Sequence, residues 1–252
     1  MIRIATFTTV WKRPRVTRVM MNALAELEKV AHRFDIQLLP FFVLSPNDPH
    51  KNTHLQYIYD HEWSWSMQPN SPLGDKAQAG LKELSMRQFD YLMHLDTDDV
   101  LNPALFRIYE PLLARERKWF GSVDKYIYDV AGEQLYYFAG YPADQRMSVN
   151  GGRMIHRTAL QKCQWQQWTK GIEFGLNYHQ KIYLEKAGYS ETLIRQKETP
   201  CLLEIKTDLN IHTMDWFHKN MSEVLQPVDI DMSNQFDVET QKLLSKTLEN
   251  SQ

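Results

Sequence analysis

Along the chain, apolar and polar positions alternate between two periods. Residues 2–9 alternate and are β-rich, which predicts a first strand, broken by Trp11-Lys12-Arg13-Pro14-Arg15. From Arg15 to Phe34 the apolar positions Val16, Val19, Met20, Ala23, Leu24, Leu27, Val30 and Ala31 recur at three and four, which predicts an amphipathic helix. Ile36 to Leu44 is nearly all apolar, as a parallel strand buried on both faces should be. These three segments form a β-α-β unit with a right-handed crossover. Ser45 to Asn52 reads as loop, Leu55 to Tyr59 as a short third strand, and His61 to Ser71 as an irregular Trp-rich stretch. Gly74 to Arg87 reads as a helix with Ala77, Leu81 and Leu84 inward.

The next run changes character at its end. Asp90-Tyr91-Leu92-Met93-His94-Leu95 is mostly apolar and of strand length, and it stops at Asp96-Thr97-Asp98-Asp99. As strand positions, Asp96 and Asp98 are two apart and project to one face. Asn102-Pro103 then suits a helix start, Asn as N-cap and Pro at the first helical position, with the helix running to about Lys118 and kinked at Pro111. Strand, acidic turn and helix place the carboxylates beyond the carboxyl end of a strand, where open α/β sheets bind ligands. Two carboxylates in such a crevice repel one another and call for a counter-ion. A divalent cation with oxygen ligands, Mg²⁺ or Mn²⁺, would answer that and would bridge to a phosphate-bearing substrate. The plainer reading is a solvated acidic turn capping the next helix.

The second half is mixed. Trp119 to Val130 and Glu133 to Gly140 read as strands, and a short helix lies near Thr158. Gly171-Ile172-Glu173 opens a helical stretch that ends at Ala187-Gly188-Tyr189, with Gly188 at its C-cap. Leu202 to Lys206 reads as a strand, and residues 237–248 as an amphipathic tail helix. The simplest organisation is one α/β domain over residues 1–252 with a mixed, mainly parallel central sheet. Residues 1–118 would form its first half, 119–236 its second half and 237–252 the tail.

Composition narrows the partners. Hydrophobic residues make up 43% and charged residues 24% of 252, which allows a large core. The net charge of −2 gives no basic field for nucleic acid. Only Cys163 and Cys201 are present, so a disulfide framework is not indicated. The first apolar run is too short for a signal peptide, and no window is long enough to span a bilayer. The expectation is a cytoplasmic protein.

Three segments together resemble the GT-A, family-2-like nucleotide-sugar glycosyltransferases, which include phage and bacterial members. They are Thr8-Thr9-Val10-Trp11-Lys12-Arg13-Pro14, Asn70-Ser71-Pro72-Leu73-Gly74-Asp75-Lys76-Ala77-Gln78-Ala79-Gly80-Leu81, and Phe89-Asp90-Tyr91 through Asp99. Their order and spacing match that family over roughly the first 110 residues. The resemblance implies a GT-A-like fold and transfer of a sugar from a nucleoside-diphosphate sugar, UDP by analogy, to a hydroxyl acceptor. Thr8, Thr9, Arg13 and Asp48 would hold the nucleotide. Lys76, at a helix start, would meet the diphosphate. Asp96 and Asp98 would take the metal-binding Asp-x-Asp role with Mn²⁺ or Mg²⁺, and His212 would be a third ligand, with His218 and His179 as rivals. The family's catalytic Glu-Asp falls on Leu176-Asn177, so Glu173, just upstream, is the candidate acid/base, with Asp144 a second. Gly151-Gly152-Arg153 suits either the acceptor side, where backbone must come close to a ligand, or a plain turn. Trp63 and Trp65, two apart on a loop, suit either stacking on a sugar or base or packing in the core or a lid, and Trp165 and Trp168 would pack.

Two other readings compete. Asp96-x-Asp98-x-Val100 also resembles the nucleophile motif of haloacid-dehalogenase-like phosphohydrolases, with Asp96 attacking phosphorus and Asp98 as acid/base. That motif belongs near a chain's start, whereas here two strand–helix units precede it. A nucleotide-sugar-binding module without turnover is the third reading. The acceptor is open among a glycan, a lipid-linked sugar, a protein and a hydroxylated base in phage DNA.

Overall fold

The computed structural model describes residues 1–142, 145–196 and 201–229. The candidate base Asp144 and the expected tail helix at 237–248 lie outside the described residues.

The expected β-α-β start is present: β1 (Ile2–Thr9), α1 (Pro14–Ala31) and β2 (Ile36–Leu44), with β1 and β2 parallel and Ile4 opposite Leu38. Lys51–Asp60 is a helix, α2, and not the short strand expected at 55–59. His54, Tyr57 and Ile58 are its buried residues. That three-then-four spacing belongs to a helix, and it outweighs the aromatic, β-prone composition. The Trp-rich stretch contains an edge strand, β3 (Ser64–Met67), which extends the parallel sheet beside β2. α3 (Leu73–Leu84) and β4 (Tyr91–His94) follow. The chain then turns through 95–98 and enters β5 (Asp99–Leu101) and α4 (Ala104–Ala114). Asn102 caps α4 as expected, its Oδ1 accepting from Ala104 N at 2.8 Å. The helix stops four residues short of Lys118 and carries Pro111 inside it.

The strand expected over 119–130 is two strands in two sheets, β6 (Trp119–Ser122) and β7 (Lys125–Asp129), followed by β8 (Gln134–Phe138). The break sits at Asp124, which is fully buried and accepts from Ser122 Oγ (2.6 Å), Tyr137 OH (2.7 Å) and Gln196 N (2.9 Å). A carboxylate with three donors is stable inside and fixes the corner. Then come β9 (Met154–His156), α5 (Arg157–Lys162), α6 (Leu176–Lys186), β10 (Thr192–Ile194), β11 (Leu202–Lys206), α7 (Met214–Asn220) and β12 (Leu225–Val228). α6 starts five residues later than Gly171, behind Gly175 at φ +72°. It ends as expected, with Gly188 at φ +84° just past its last turn.

Seven strands form one sheet in the order β10-β6-β9-β4-β1-β2-β3, and five form a second in the order β12-β8-β7-β11-β5. The first is parallel except that β9 runs antiparallel between β4 and β6. In the second, only β7 and β11 are parallel. Ten of the 18 residues of α1 are buried, more than one face supplies, because the helix packs on both sheets. Val16, Val19 and Ala23 join Val100, Tyr126 and Leu203 of the second sheet, while Met20, Leu24 and Leu27 join the core under the first. Burial of each Val, Leu or Met among them contributes about 1.5–3 kcal/mol.

Candidate active site

A cleft of about 1040 Å³ opens beyond the carboxyl ends of β1 and β4. Of the nine first choices for nucleotide, metal and base, Thr9, Arg13, Lys76, Asp96, Asp98, Glu173 and His212 line it. Thr8 and Asp48 do not. Thr8 points into the core, with a buried hydroxyl that finds no hydrogen-bond partner among the described residues. Asp48 is buried behind the wall and accepts from Lys12 N at 2.7 Å and His50 N at 2.8 Å. It shapes the loop that carries Lys12 and Arg13, two consecutive residues in the left-handed region at φ 56° and 49°. Backbone strain of this kind persists where the surroundings over-determine it.

The acidic segment is a turn rather than a strand end. β4 stops at His94, so Asp96 and Asp98 reach the cleft through the turn geometry and not through strand alternation. Asp99 closes that turn, its Oδ2 accepting from Asp96 N at 2.9 Å. Gly151 packs directly on the Asp99 carboxylate, where an added Cβ would lie 2.6 Å from Oδ2. That close approach explains the first glycine of the Gly151-Gly152 pair.

Asp96 and Asp98 are each held by a side-chain amide. Asn150 Nδ2 donates to Asp96 Oδ2 at 2.7 Å, and Asn210 Nδ2 donates to Asp98 Oδ2. Arg13 adds Nη1 to Asp98 Oδ2 at 3.3 Å and Nη2 to Thr97 Oγ1 at 2.6 Å. Lys206 Nζ stands 4.0 Å from the same Asp98 oxygen. Behind it, Glu204 lies between Lys125 (2.5 Å) and Lys206 (2.7 Å). Burial opposes the charge on Glu204, but the two ammonium groups outweigh it and hold the carboxyl at about 2. Asp96 goes the other way: burial, and then the Asp98 charge, push its carboxyl up to about 6. Asp99 is raised too, by burial and then by Asp96.

Asp96 is therefore a carboxylate short of positive charge, beside a second carboxylate on one cleft wall. Among the described residues no group of three or more His, Cys, Asp or Glu is arranged to hold a metal ion. This donor set suits a hard cation that takes one or two carboxylates and fills its other positions with phosphate oxygens and water. His212 is on the cleft, its ring 4.1 Å from that of Trp216, and burial followed by Lys206 lowers its basicity. Of its rivals, His179 Nδ1 pairs with Thr169 Oγ1 at 2.9 Å, and His218 lies edge-on to Tyr136.

Lys76 is almost fully buried, its Nζ donating to Val10 O at 2.6 Å and Asn70 Oδ1 at 3.1 Å, and burial lowers it to about 8. Glu173 is exposed at the cleft and caps α3 from a distance, accepting from Ser71 Oγ and from Leu73 N at 3.0 Å. Those two hydrogen bonds hold its carboxyl below the usual range. Arg153 is fully buried, not on an acceptor wall. It donates to Ser148 Oγ (2.7 Å) and Gln180 Oε1 (3.0 Å), and Gln180 pairs with His94 Nε2 (2.7 Å). This network ties the Asn150 loop and α6 to β4. Trp63 is core, stacked on Phe42 at 5.4 Å, with Nε1 donating to Glu28 at 2.9 Å.

Asn150 and Asn210 were not singled out from the sequence, although each sits beside a segment that was. Around the cleft, Phe174, Tyr178, Leu209 and Ile211 expose large apolar side chains. No helix among the described residues is long and apolar enough to cross a membrane.

No family model and no curated protein matches the chain. Among solved structures it is similar to S. aureus TarS, with a TM-score of 0.59 at 10% identity over 99% of this chain and 43% of that one. The chain thus spans less than half of that protein's length. It is also similar to S. aureus TarS 1–349 (TM-score 0.54, 10% identity, 96% and 77% covered). The complex of TarS 1–349 with UDP-GlcNAc gives a TM-score of 0.51 at 11% identity, over 99% and 67% of the two chains. At such identities the likeness is one of fold. The architecture is the GT-A-like α/β class expected from the sequence.

Proposed function

We propose that the protein is a glycosyltransferase that takes a sugar from a nucleoside-diphosphate sugar, UDP-linked by preference, and passes it to a hydroxyl acceptor. The observation that carries this reading is the meeting of Asp96 and Asp98 with Arg13, Lys76 and Lys206 in one cleft beyond the carboxyl ends of parallel strands. The binding of UDP-GlcNAc by a protein of similar fold supports the donor class.

In this reading Asp96 and Asp98 hold Mn²⁺ or Mg²⁺, with His212 as a further ligand. The bound cation would supply Lewis-acid stabilisation of the leaving diphosphate. The chain's own residues do the rest. Asn150 and Asn210 fix the two carboxylates, while Arg13 and the loop before α3 present positive charge to the phosphates. Glu173 would take the proton of the acceptor hydroxyl. Its hydrogen bonds to Ser71 and Leu73 keep it ionised and orient it, at some loss of basicity.

Calorimetry tests the assignment. Mn²⁺-dependent UDP binding that disappears in Asp98→Ala is expected, together with release of UDP from a UDP-sugar when a hydroxyl acceptor is supplied. UDP binding without turnover of any sugar donor would favour the non-catalytic module. Phosphate release from a generic phosphoester without nucleotide binding would favour the phosphohydrolase.

A further inference from the structure

In this structure Asp98 already has cations. Three donors converge on its Oδ2: the Arg13 guanidinium at 3.3 Å, the Asn210 amide, and the Lys206 ammonium at 4.0 Å. The second arm of Arg13 is anchored on Thr97 Oγ1 at 2.6 Å, so its fork spans the acidic turn. Arg13 is also held at its backbone. It sits at φ 49°, ψ 51°, directly after Lys12, whose N–H is clamped by buried Asp48. Yet its side chain faces the cleft and keeps 17% of its surface open. A strained, clamped backbone thus aims a partly exposed guanidinium at the carboxylate assigned above to the cation.

We propose that Arg13 acts as an interlock that makes cation uptake at Asp96 and Asp98 conditional on the nucleoside diphosphate. The inference rests on the donor reading above. A divalent ion arriving alone meets a guanidinium and an ammonium already beside Asp98, and the like charges repel it. A diphosphate arriving with the ion changes the balance, because its oxygens accept both arms of the guanidinium fork. Arg13 then turns from competitor into ligand. Cation and nucleotide bind with positive coupling, and by linkage each strengthens the other by the same factor. Arg13 is a positioning residue in the cation's uptake, and it touches the donor only once the cleft is filled.

The test is calorimetric titration of the full chain, with Mn²⁺ alone, UDP alone, and Mn²⁺ at saturating UDP. For the natural sequence, UDP should tighten Mn²⁺ binding by about tenfold or more, within the usual range of coupling between sites. Arg13→Met should tighten binding of Mn²⁺ alone by about tenfold and remove most of the coupling. Arg13→Lys, which keeps the charge, should repel Mn²⁺ as the natural residue does, and it guards against a folding defect in the Met variant. Equal Mn²⁺ affinity in the natural protein and Arg13→Met overturns the interlock while leaving the donor reading standing. So does weakened UDP binding in Arg13→Met with binding of Mn²⁺ alone unchanged, which would make Arg13 a plain phosphate ligand. Failure of the natural protein to bind UDP at any Mn²⁺ concentration removes the donor reading, and the interlock with it.

Discussion

Asp96 should destabilise the ligand-free protein, and removing its charge should make the fold stronger. Its carboxyl is pushed from the ordinary value of about 4 to about 6, first by burial and then by Asp98. A group whose folded pKa is raised holds its proton more tightly when folded, so stability falls as pH rises from about 4 to about 6 and stays reduced above that. A shift of about two units at 1.36 kcal/mol per unit is about 3 kcal/mol. Water in the cleft reaches this half-buried side chain, so about 3 kcal/mol is a ceiling and about 1–3 kcal/mol a fair range. Asp96→Asn keeps an oxygen for the Asn150 amide and leaves the Asp96 N–H to Asp99 untouched. At pH 7.5 in EDTA it should raise Tm by roughly 2–10 °C, and at pH 5 by about half as much. With Mn²⁺ and UDP the order should invert, because only the natural carboxylate gains a cation. A Tm equal to or below that of the natural protein at pH 7.5, or a gain that does not shrink at pH 5, would refute the electrostatic argument.

Lys76 titrates in the opposite sense. Burial depresses it to about 8, so the folded chain binds fewer protons than the unfolded chain between about pH 8 and 10. Stability in urea should rise across that window, and Lys76→Met should flatten the rise. Gly80 of α3 has no room for a side chain, since an added Cβ would sit 2.3 Å from Val43 Cγ2. Gly80→Ala should cost about 1–3 kcal/mol, read as a lowered Tm. Glu173→Gln keeps an acceptor for Leu73 N and should leave the Tm in place. If Glu173 is the base, kcat falls by about 10²–10⁴; an unchanged kcat excludes it.

The first parallel strands, α1 and the acid turn were legible because their patterns are local: an apolar run, a three-and-four spacing, a cluster of like charge. The misreadings have physical causes. Leu55 to Tyr59 has strand composition, but helix spacing emerges only when His54 is counted as buried. Trp119 to Val130 reads as one strand because both parts are apolar; the corner depends on Asp124, whose donors Tyr137 and Gln196 lie 13 and 72 residues further on. The site divides the same way. Asp96 and Asp98 announce themselves by clustered charge after an apolar run, and Arg13 by the segment that resembles the family. Asn150 and Asn210 are neutral, and their importance comes from contacts across 54 and 112 residues. Asp48 was expected to hold the nucleotide from the loop after the second strand; its role as the clamp on Lys12 was not legible, because that contact is made by a backbone N–H.

The acid turn is also where the chain leaves one sheet for the other, from β4 to β5, within residues 95–98. The two carboxylates are consequently anchored to opposite partners: Asp96 to the loop before β9 of the first sheet, Asp98 to the loop after β11 of the second. A cut after residue 118 would strip both carboxylates of their amides and remove β9 from the middle of its sheet. The turn behaves as a gauge stretched across a seam. Substitutions in either sheet that slide one layer against the other would register first as a change in the spacing of Asp96 and Asp98, so affinity for a cation would report on packing far from the cleft.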